Sequence, residues 1–358
     1  MRRDVYVNWQ RSLSGISRVV RLFGPPPNKR LKLAAHLDET WRCCSRCWGW
    51  CRSGPRPRGR VLRPRQLLRV PVLALIAIGG RSPDLRPSPG SVADTGFVAV
   101  SGGRLYYESI GSGPTIVLLH GGNLDCRMWD EQLPILRSHF RVIRYDARGF
   151  GRSGPADTAY QAHTDLYALL QQLAVGRVSL VGLSLGGRIA IDFALNHPDM
   201  VDKLVLAGPG LSGWRDWSAE DTTWHLAARR AGHARDSIGM AMAWLTSDYM
   251  RPAMEQPQLA TRLRLMAADN ATYWMGLFRH GDLERDADQP ALGRLSAIRA
   301  PTLLLVGDRD SPVIRVIVDT LASRIASSAV VVIRGSGHMV NMERPAAFNR
   351  VVLHFLLR

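Results

Sequence analysis

The sequence predicts an α/β protein, a mostly parallel sheet of eight strands with helices on both faces, and three observations carry that prediction. Beyond Gly96, six short apolar runs recur with amphipathic stretches between them. These runs are apolar almost throughout rather than at alternate positions, as strands covered on both faces are. Two further segments precede them and read as an antiparallel opening. At 46% hydrophobic and 22% charged residues, the composition excludes collagen-like, coiled-coil and wholly disordered chains.

In chain order, the first element is a basic extension over residues 1–91. It holds 19 of the 47 Lys and Arg but only 4 of the 30 Asp and Glu, so the net charge of +17 is +15 here and +2 over the rest. The charge therefore gives the folded part no nucleic-acid partner. The extension lacks any sustained apolar period and is broken by Gly24-Pro25-Pro26-Pro27 and Gly54-Pro55-Arg56-Pro57, so it is expected to be disordered. Cys43, Cys44, Cys47 and Cys51 crowd into nine residues with no second separated pair. Because zinc sites use separated pairs, no metal is assigned.

The apolar stretch Val70 to Gly80 falls well short of the roughly 20 residues a spanning helix needs. No stable membrane span is expected. With Arg60, Arg63, Arg65 and Arg69 before it and Ser91-Val92-Ala93 after it, segment 61–93 resembles a secretory signal. Two readings stay open: a true start near Val61 with over-extended coding sequence upstream, or a flexible basic tail.

The strand-and-helix pattern then occupies 92–208 and 296–358. Strands are expected near Phe97 to Val100, Leu105 to Ser109, Thr115 to Leu119, Arg141 to Tyr145, Val178 to Leu183, Lys203 to Ala207, Thr302 to Val306 and Ala329 to Ile333. Helices fit over Met128 to Leu136, Thr164 to Leu173, Leu185 to Asn196, Val313 to Arg324 and Ala346 to Leu357. In open parallel sheets chemistry collects at the carboxyl ends of the strands, and four of those loops carry a signal.

The first is Gly182-Leu183-Ser184-Leu185-Gly186 between a strand and a helix. In such a turn the residues two before and two after the serine must lack a Cβ for the chain to pass itself, and the hydroxyl projects above the sheet. The following helix aims its amide dipole at the same spot. The second is His120-Gly121-Gly122-Asn123. Here Gly122, with Asn123 the close second, is expected to supply one amide of an oxyanion hole and Leu185 the other. His120 reads as a residue fixing that loop. The third is Arg334-Gly335-Ser336-Gly337-His338, where a general base within reach of Ser184 would stand. The fourth is Gly307-Asp308-Arg309-Asp310, whose two aspartates compete to orient the imidazole.

From about Gly96 to Arg358 the chain resembles the α/β-hydrolase family that contains esterases, enol-lactonases and carbon-carbon bond hydrolases. The resemblance rests on LLHGG, the turn Asp146 to Ser153, GLSLGG, the Gly-x-x-Asp of GDRD, and GHMVNMERP. It implies an α/β-hydrolase sheet with a helical cap inserted after the sixth strand. In the family the aspartate of Gly-x-x-Asp completes the triad, which favours Asp310 over Asp308. The order Ser184, Asp310, His338 is the family's own. Serine at 184, where haloalkane dehalogenases and epoxide hydrolases carry aspartate, speaks against those two activities.

The long interval 209–295 is then the cap. Residues 209–295 hold five of the ten Trp and six of the 11 Met, which suits a pocket for an apolar acyl or aromatic group. Asn123, Trp214, Trp244, Trp274 and Met339 are the expected pocket residues.

The implied function is a serine hydrolase of a carboxylic ester, lactone or similar acyl bond, needing no metal or organic cofactor. A carbon-carbon hydrolase or cofactor-free perhydrolase with the same triad, and a low-turnover ligand-binding protein of this fold, are the alternatives. The partner is a small acyl substrate; whether the chain forms a homo-oligomer is open. Cys126, alone in the folded part, favours a reducing compartment, while the signal-like segment favours export.

Overall fold

The apolar runs become β1 (Asp94–Val100), β2 (Gly103–Ile110), β3 (Thr115–Leu119), β4 (Arg141–Tyr145), β5 (Val178–Leu183), β6 (Val201–Ala207), β7 (Thr302–Gly307) and β8 (Ser328–Ile333). They form one sheet in the order β1-β2-β4-β3-β5-β6-β7-β8. β2 runs antiparallel to both its neighbours, and every other pairing is parallel. The computed structural model describes residues 94–156, 158–216, 223–280 and 283–358. The basic extension, its cysteines, the signal-like segment and Trp217 lie outside the described residues.

Helices among the described residues are α1 (Leu133–Leu136), α2 (Ala162–Gln172), α3 (Leu185–Asn196), α4 (Thr223–His233), α5 (Ser237–Trp244), α6 (Arg251–Met254), α7 (Pro257–Asp269), α8 (Ala271–His280), α9 (Pro312–Arg324), α10 (Val340–Glu343) and α11 (Pro345–Leu356). None of them is long and apolar enough to cross a membrane.

Alternate residues of each central strand serve opposite faces, which is why the strands read as unbroken apolar runs. Val117, Leu180, Leu206 and Leu304 pack with α2, α3 and α9. Ile116, Val181, Val205 and Leu305 pack with α1 and α11 on the other face. Met240, Trp244, Met266 and Trp274, from the helices between β6 and β7, join this second cluster.

One expected helix is corrected. In place of a helix from Met128 to Leu136 there is a single 3-10 turn, Cys126–Trp129, followed by the one-turn α1. Pro134 stands in the way: it has no N–H for the Asp130 carbonyl, and its ring would collide with that oxygen in a continuous helix.

The register aligns the carboxyl ends. Leu119 pairs with Gly182, Leu183 with Ala207, Ala207 with Leu305, and Gly307 with Ile333. The connection leaving β3 runs to β4 on one side, and that leaving β5 runs to β6 on the other. Adjacent strands whose connections part in this way leave a crevice above their carboxyl ends, where ligands bind. Ser184 and the His120–Asn123 loop both emerge there.

The two segments joining the β6–β7 helices to the sheet are tied together on α3. Ser212 Oγ donates to Asp192 Oδ1 at 2.5 Å and accepts from Ala291 N at 2.8 Å, while Arg188 Nη2 pairs with Glu284 Oε1 at 2.7 Å. Burial pushes the Asp192 carboxyl from 3.8 up to about 6, against the pull of Ser212 and Arg188. A carboxyl raised on folding contributes stability that is full below its unfolded value and is lost as pH rises through its folded one. Asp192→Asn keeps the acceptor for Ser212 and removes the buried charge. Thermal melts should therefore show the variant more stable than wild type at pH 8, by up to about 3 kcal/mol. That gain should disappear near pH 4.

Candidate active site

Ser184 occupies a sharp β5–α3 turn with φ 54° and ψ −112°, a left-handed conformation that costs a non-glycine residue about 1–3 kcal/mol. The flanking glycines have the steric reason expected of them. A Cβ on Gly182 would lie 2.3 Å from Gly186 O, and one on Gly186 would lie 2.1 Å from Leu119 O. Hydrogen bonds lock the turn: Ser184 N–H donates to Ala207 O at 3.0 Å, and Ser184 O accepts from Gly210 N at 2.9 Å and Arg188 N at 3.0 Å.

The His120–Asn123 loop lies against this elbow. A Cβ on Gly121 would approach Ser184 Cβ to 3.8 Å, and one on Gly122 would approach Leu185 Cδ2 to 3.8 Å. Asn123 also turns left-handed, at φ 63°. The Gly121 amide is taken by Met128 Sδ at 3.1 Å. His120 holds the loop with both ring nitrogens. Nε2 accepts from Ala147 N at 2.8 Å, so the proton sits on Nδ1 and goes to Gly121 O at 2.7 Å.

His338 and Asp310 are both 3% exposed, and His338 Nδ1 lies 3.0 Å from Asp310 Oδ1 and 3.2 Å from Oδ2. Asp308 points elsewhere: it is exposed and accepts the Gly335 amide at 2.7 Å. The seam between this pair and the elbow is the end of β6. Ala207 O holds the Ser184 amide, while the next residue, Gly208, leaves room where a Cβ would lie 3.0 Å from both Asp310 Oδ2 and His338 Nδ1. The Tyr249 ring stacks at a tilt 5.1 Å from the imidazole.

The expected pocket residues divide. Met339, Trp244 and Trp274 share the buried cluster beneath the β6–β7 helices. Trp214 packs against the opposite cluster, its indole N–H on Asp216 O at 2.7 Å. A cavity of about 320 Å³ lies between the 148–156 loop and α8, with Gly149, Tyr160, Asn270, Tyr273 and Glu284 on its wall. None of the expected pocket residues lines it.

Two features escaped the sequence reading. Glu343, 5% exposed, accepts the Gly337 amide on Oε2 at 2.7 Å and the Met339 amide on Oε1 at 3.0 Å. In the sequence it stands within GHMVNMERP, five residues after His338, with nothing there to mark its partners. The second is the buried trio Asp125, Cys126 and Asp146, whose ligand atoms lie within 4.8 Å of one another. Their lone pairs are engaged: Asp125 accepts from Arg127 and Asn270, and Asp146 accepts the Cys126 and Arg152 amides. Burial, with Asp146 beside it, pushes the Cys126 thiol far up, which keeps it protonated and a poor metal ligand.

Residues 116–351 match the family model described as the alpha/beta hydrolase family. The pimeloyl-[acyl-carrier protein] methyl ester esterase of Aeromonas hydrophila subsp. hydrophila is 30% identical over 271 residues, 70% of this chain and 98% of the relative. The 2-hydroxy-6-oxononadienedioate/2-hydroxy-6-oxononatrienedioate hydrolase of Escherichia coli O81 is 28% identical over 281 residues, 71% of this chain and 91% of the relative. Among solved structures, the enol-lactonase from Burkholderia xenovorans LB400 superposes with a TM-score of 0.59 at 26% identity, covering 74% of this chain and 100% of its own. A strained serine elbow at the switch point of this sheet, read with these likenesses, places the protein: the chain belongs to the alpha/beta hydrolase family.

Proposed function

We propose that this chain is a serine hydrolase that cleaves a carboxylic ester or lactone of a small, largely apolar substrate. The observation that carries the reading is the buried His338–Asp310 pair set against Gly208, one residue from the carbonyl that fixes the Ser184 elbow. Ser184 Oγ attacks the carbonyl carbon as His338 Nε2 takes its proton. Asp310 holds Nδ1–H and stabilises the imidazolium. The developing oxyanion is received by the Leu185 amide and by that of Gly122, the Gly121 amide being engaged with Met128. His338 then protonates the leaving alcohol, and water repeats the cycle on the acyl-enzyme.

Helices α4 to α8 act as the cap, and the apolar side chains they share with Met339 suit an acyl chain better than a charged group. The relatives named esterase and enol-lactonase support acyl transfer; the Escherichia coli relative supports a second reading, cleavage of a carbon-carbon bond by the same residues. Turnover of p-nitrophenyl butyrate measured beside a dienone acid separates the two. Faster release of p-nitrophenol is expected, and a preference for the dienone acid overturns the ester reading.

A further inference from the structure

The loop that carries His338 is braced at several points along its backbone. Gly335 is left-handed at φ 69°, and Gly337 is confined because a Cβ there would lie 2.5 Å from Pro252 Cγ. Before the histidine the loop is fixed by Gly335 N, which donates to Asp308 Oδ1 at 2.7 Å, by Arg344 Nε, which donates to Gly335 O at 3.1 Å, by Arg309 N, which donates to Ser336 O at 2.9 Å, and by Ser336 Oγ, which donates to Ile333 O at 2.9 Å. The amides on either side of His338 are both taken by one side chain. Glu343, at the end of α10, turns back so that each carboxylate oxygen takes one amide, Gly337 on one side of the histidine and Met339 on the other.

We propose that Glu343 is the positioning residue of the His338 imidazole, clamping the backbone on both sides of it and setting a second carboxylate behind it alongside Asp310. The inference rests on the role given to His338 above. The charged groups facing Glu343 are His338 and Asp310 from the neighbouring loops, with Arg309 further out and itself paired to Glu255 at 2.7 Å. Burial above all, with Asp310, raises the Glu343 carboxyl on balance, against the two amides and His338, which draw it down. Each carboxyl oxygen serves one amide, so the clamp needs both acceptors, and an NH₂ in place of one oxygen would turn a hydrogen on an amide hydrogen.

The test needs no knowledge of the substrate. The rate at which a fluorophosphonate labels the full chain is followed beside the proton NMR signal of His338 Nδ1–H in its bond to Asp310. Glu343→Gln removes one of the two acceptors. It should label on the order of 10²-fold more slowly, as a base displaced by about 1 Å does. Its Nδ1–H signal should shift or broaden, because the ring no longer meets Asp310 squarely. Glu343→Asp keeps both acceptors but retracts them by one methylene, so labelling should slow only on the order of tenfold, with the signal nearer its wild-type position.

Wild-type labelling in Glu343→Gln, or slow labelling with an unmoved Nδ1–H signal, overturns the proposal, the latter by reducing Glu343 to a scaffold. Should Glu343→Gln not fold, as judged by circular dichroism, Glu343→Asp decides alone: a wild-type rate overturns the proposal. Failure of the serine-hydrolase reading looks different, because then the wild-type chain itself does not label, or Ser184→Ala labels as well as it does.

Discussion

Ser184→Ala should abolish labelling by a fluorophosphonate and lower ester turnover by about 10⁴-fold or more, with the melting temperature unchanged. The size of the effect follows from what is removed. The hydroxyl is the only atom lost, and the Ser184 amide and carbonyl, which hold the elbow through Ala207, Gly210 and Arg188, are untouched. Alanine must adopt the same left-handed φ, so the strain of the turn stays and the fold has no reason to change. Residual catalysis would come from the oxyanion amides and from binding. A variant that turns over ester at the wild-type rate would remove Ser184 from the chemistry and with it the acyl-enzyme.

Asp310→Asn should cost on the order of 10⁴-fold in kcat, whereas Asp308→Asn should stay within about twofold of wild type. Both aspartates lie in one short turn, and the contrast between them rests on what each carboxylate touches. Asp310 is buried against His338 Nδ1 and also accepts the Ser311 amide at 2.7 Å on Oδ1. In the asparagine variant the charge opposite the imidazole is lost, and the NH₂ that replaces Oδ2 brings a hydrogen to Nδ1 where a lone pair stood. The ring then carries its proton on Nε2 and has no lone pair to accept the Ser184 proton. Asp308 is exposed and accepts only the Gly335 amide among the described residues, and an asparagine oxygen can accept that amide equally well. Steady-state kinetics on the two variants with one ester decide the matter, and a crippled Asp308→Asn would reverse the assignment.

Much of the fold was legible because its causes are local. An unbroken apolar strand states that both its faces will be covered, and six such runs, with the two segments before them, were found in the sequence where the sheet has its strands. A Cβ at Gly182 would collide with Gly186 O four residues on, which is a local cause, whereas Gly186 is required by Leu119 O on the neighbouring strand β3. The 128–136 helix failed for an equally local reason, the imino nitrogen of Pro134, which apolar spacing alone does not weigh. The role of Glu343 was hidden for a different one. Its partners are backbone amides, which leave no mark in side-chain chemistry, and they meet it only because α10 turns the chain back on itself. The tryptophans were grouped by composition, yet Trp214 and Trp244 belong to different buried clusters.

By itself the amino-acid sequence determined the class of fold, the serine that stands at a strained turn, and the loops from which its partners would come. These are consequences of sterics and periodicity acting over a few residues. Only the tertiary structure decided which of two neighbouring aspartates meets the imidazole, which tryptophans share a cluster, and what braces the histidine loop. Such choices depend on strand order and burial. The order of β5, β6, β7 and β8 brings residues more than a hundred positions apart to one edge, and no short-range pattern in the chain encodes the direction in which a side chain arriving there will point.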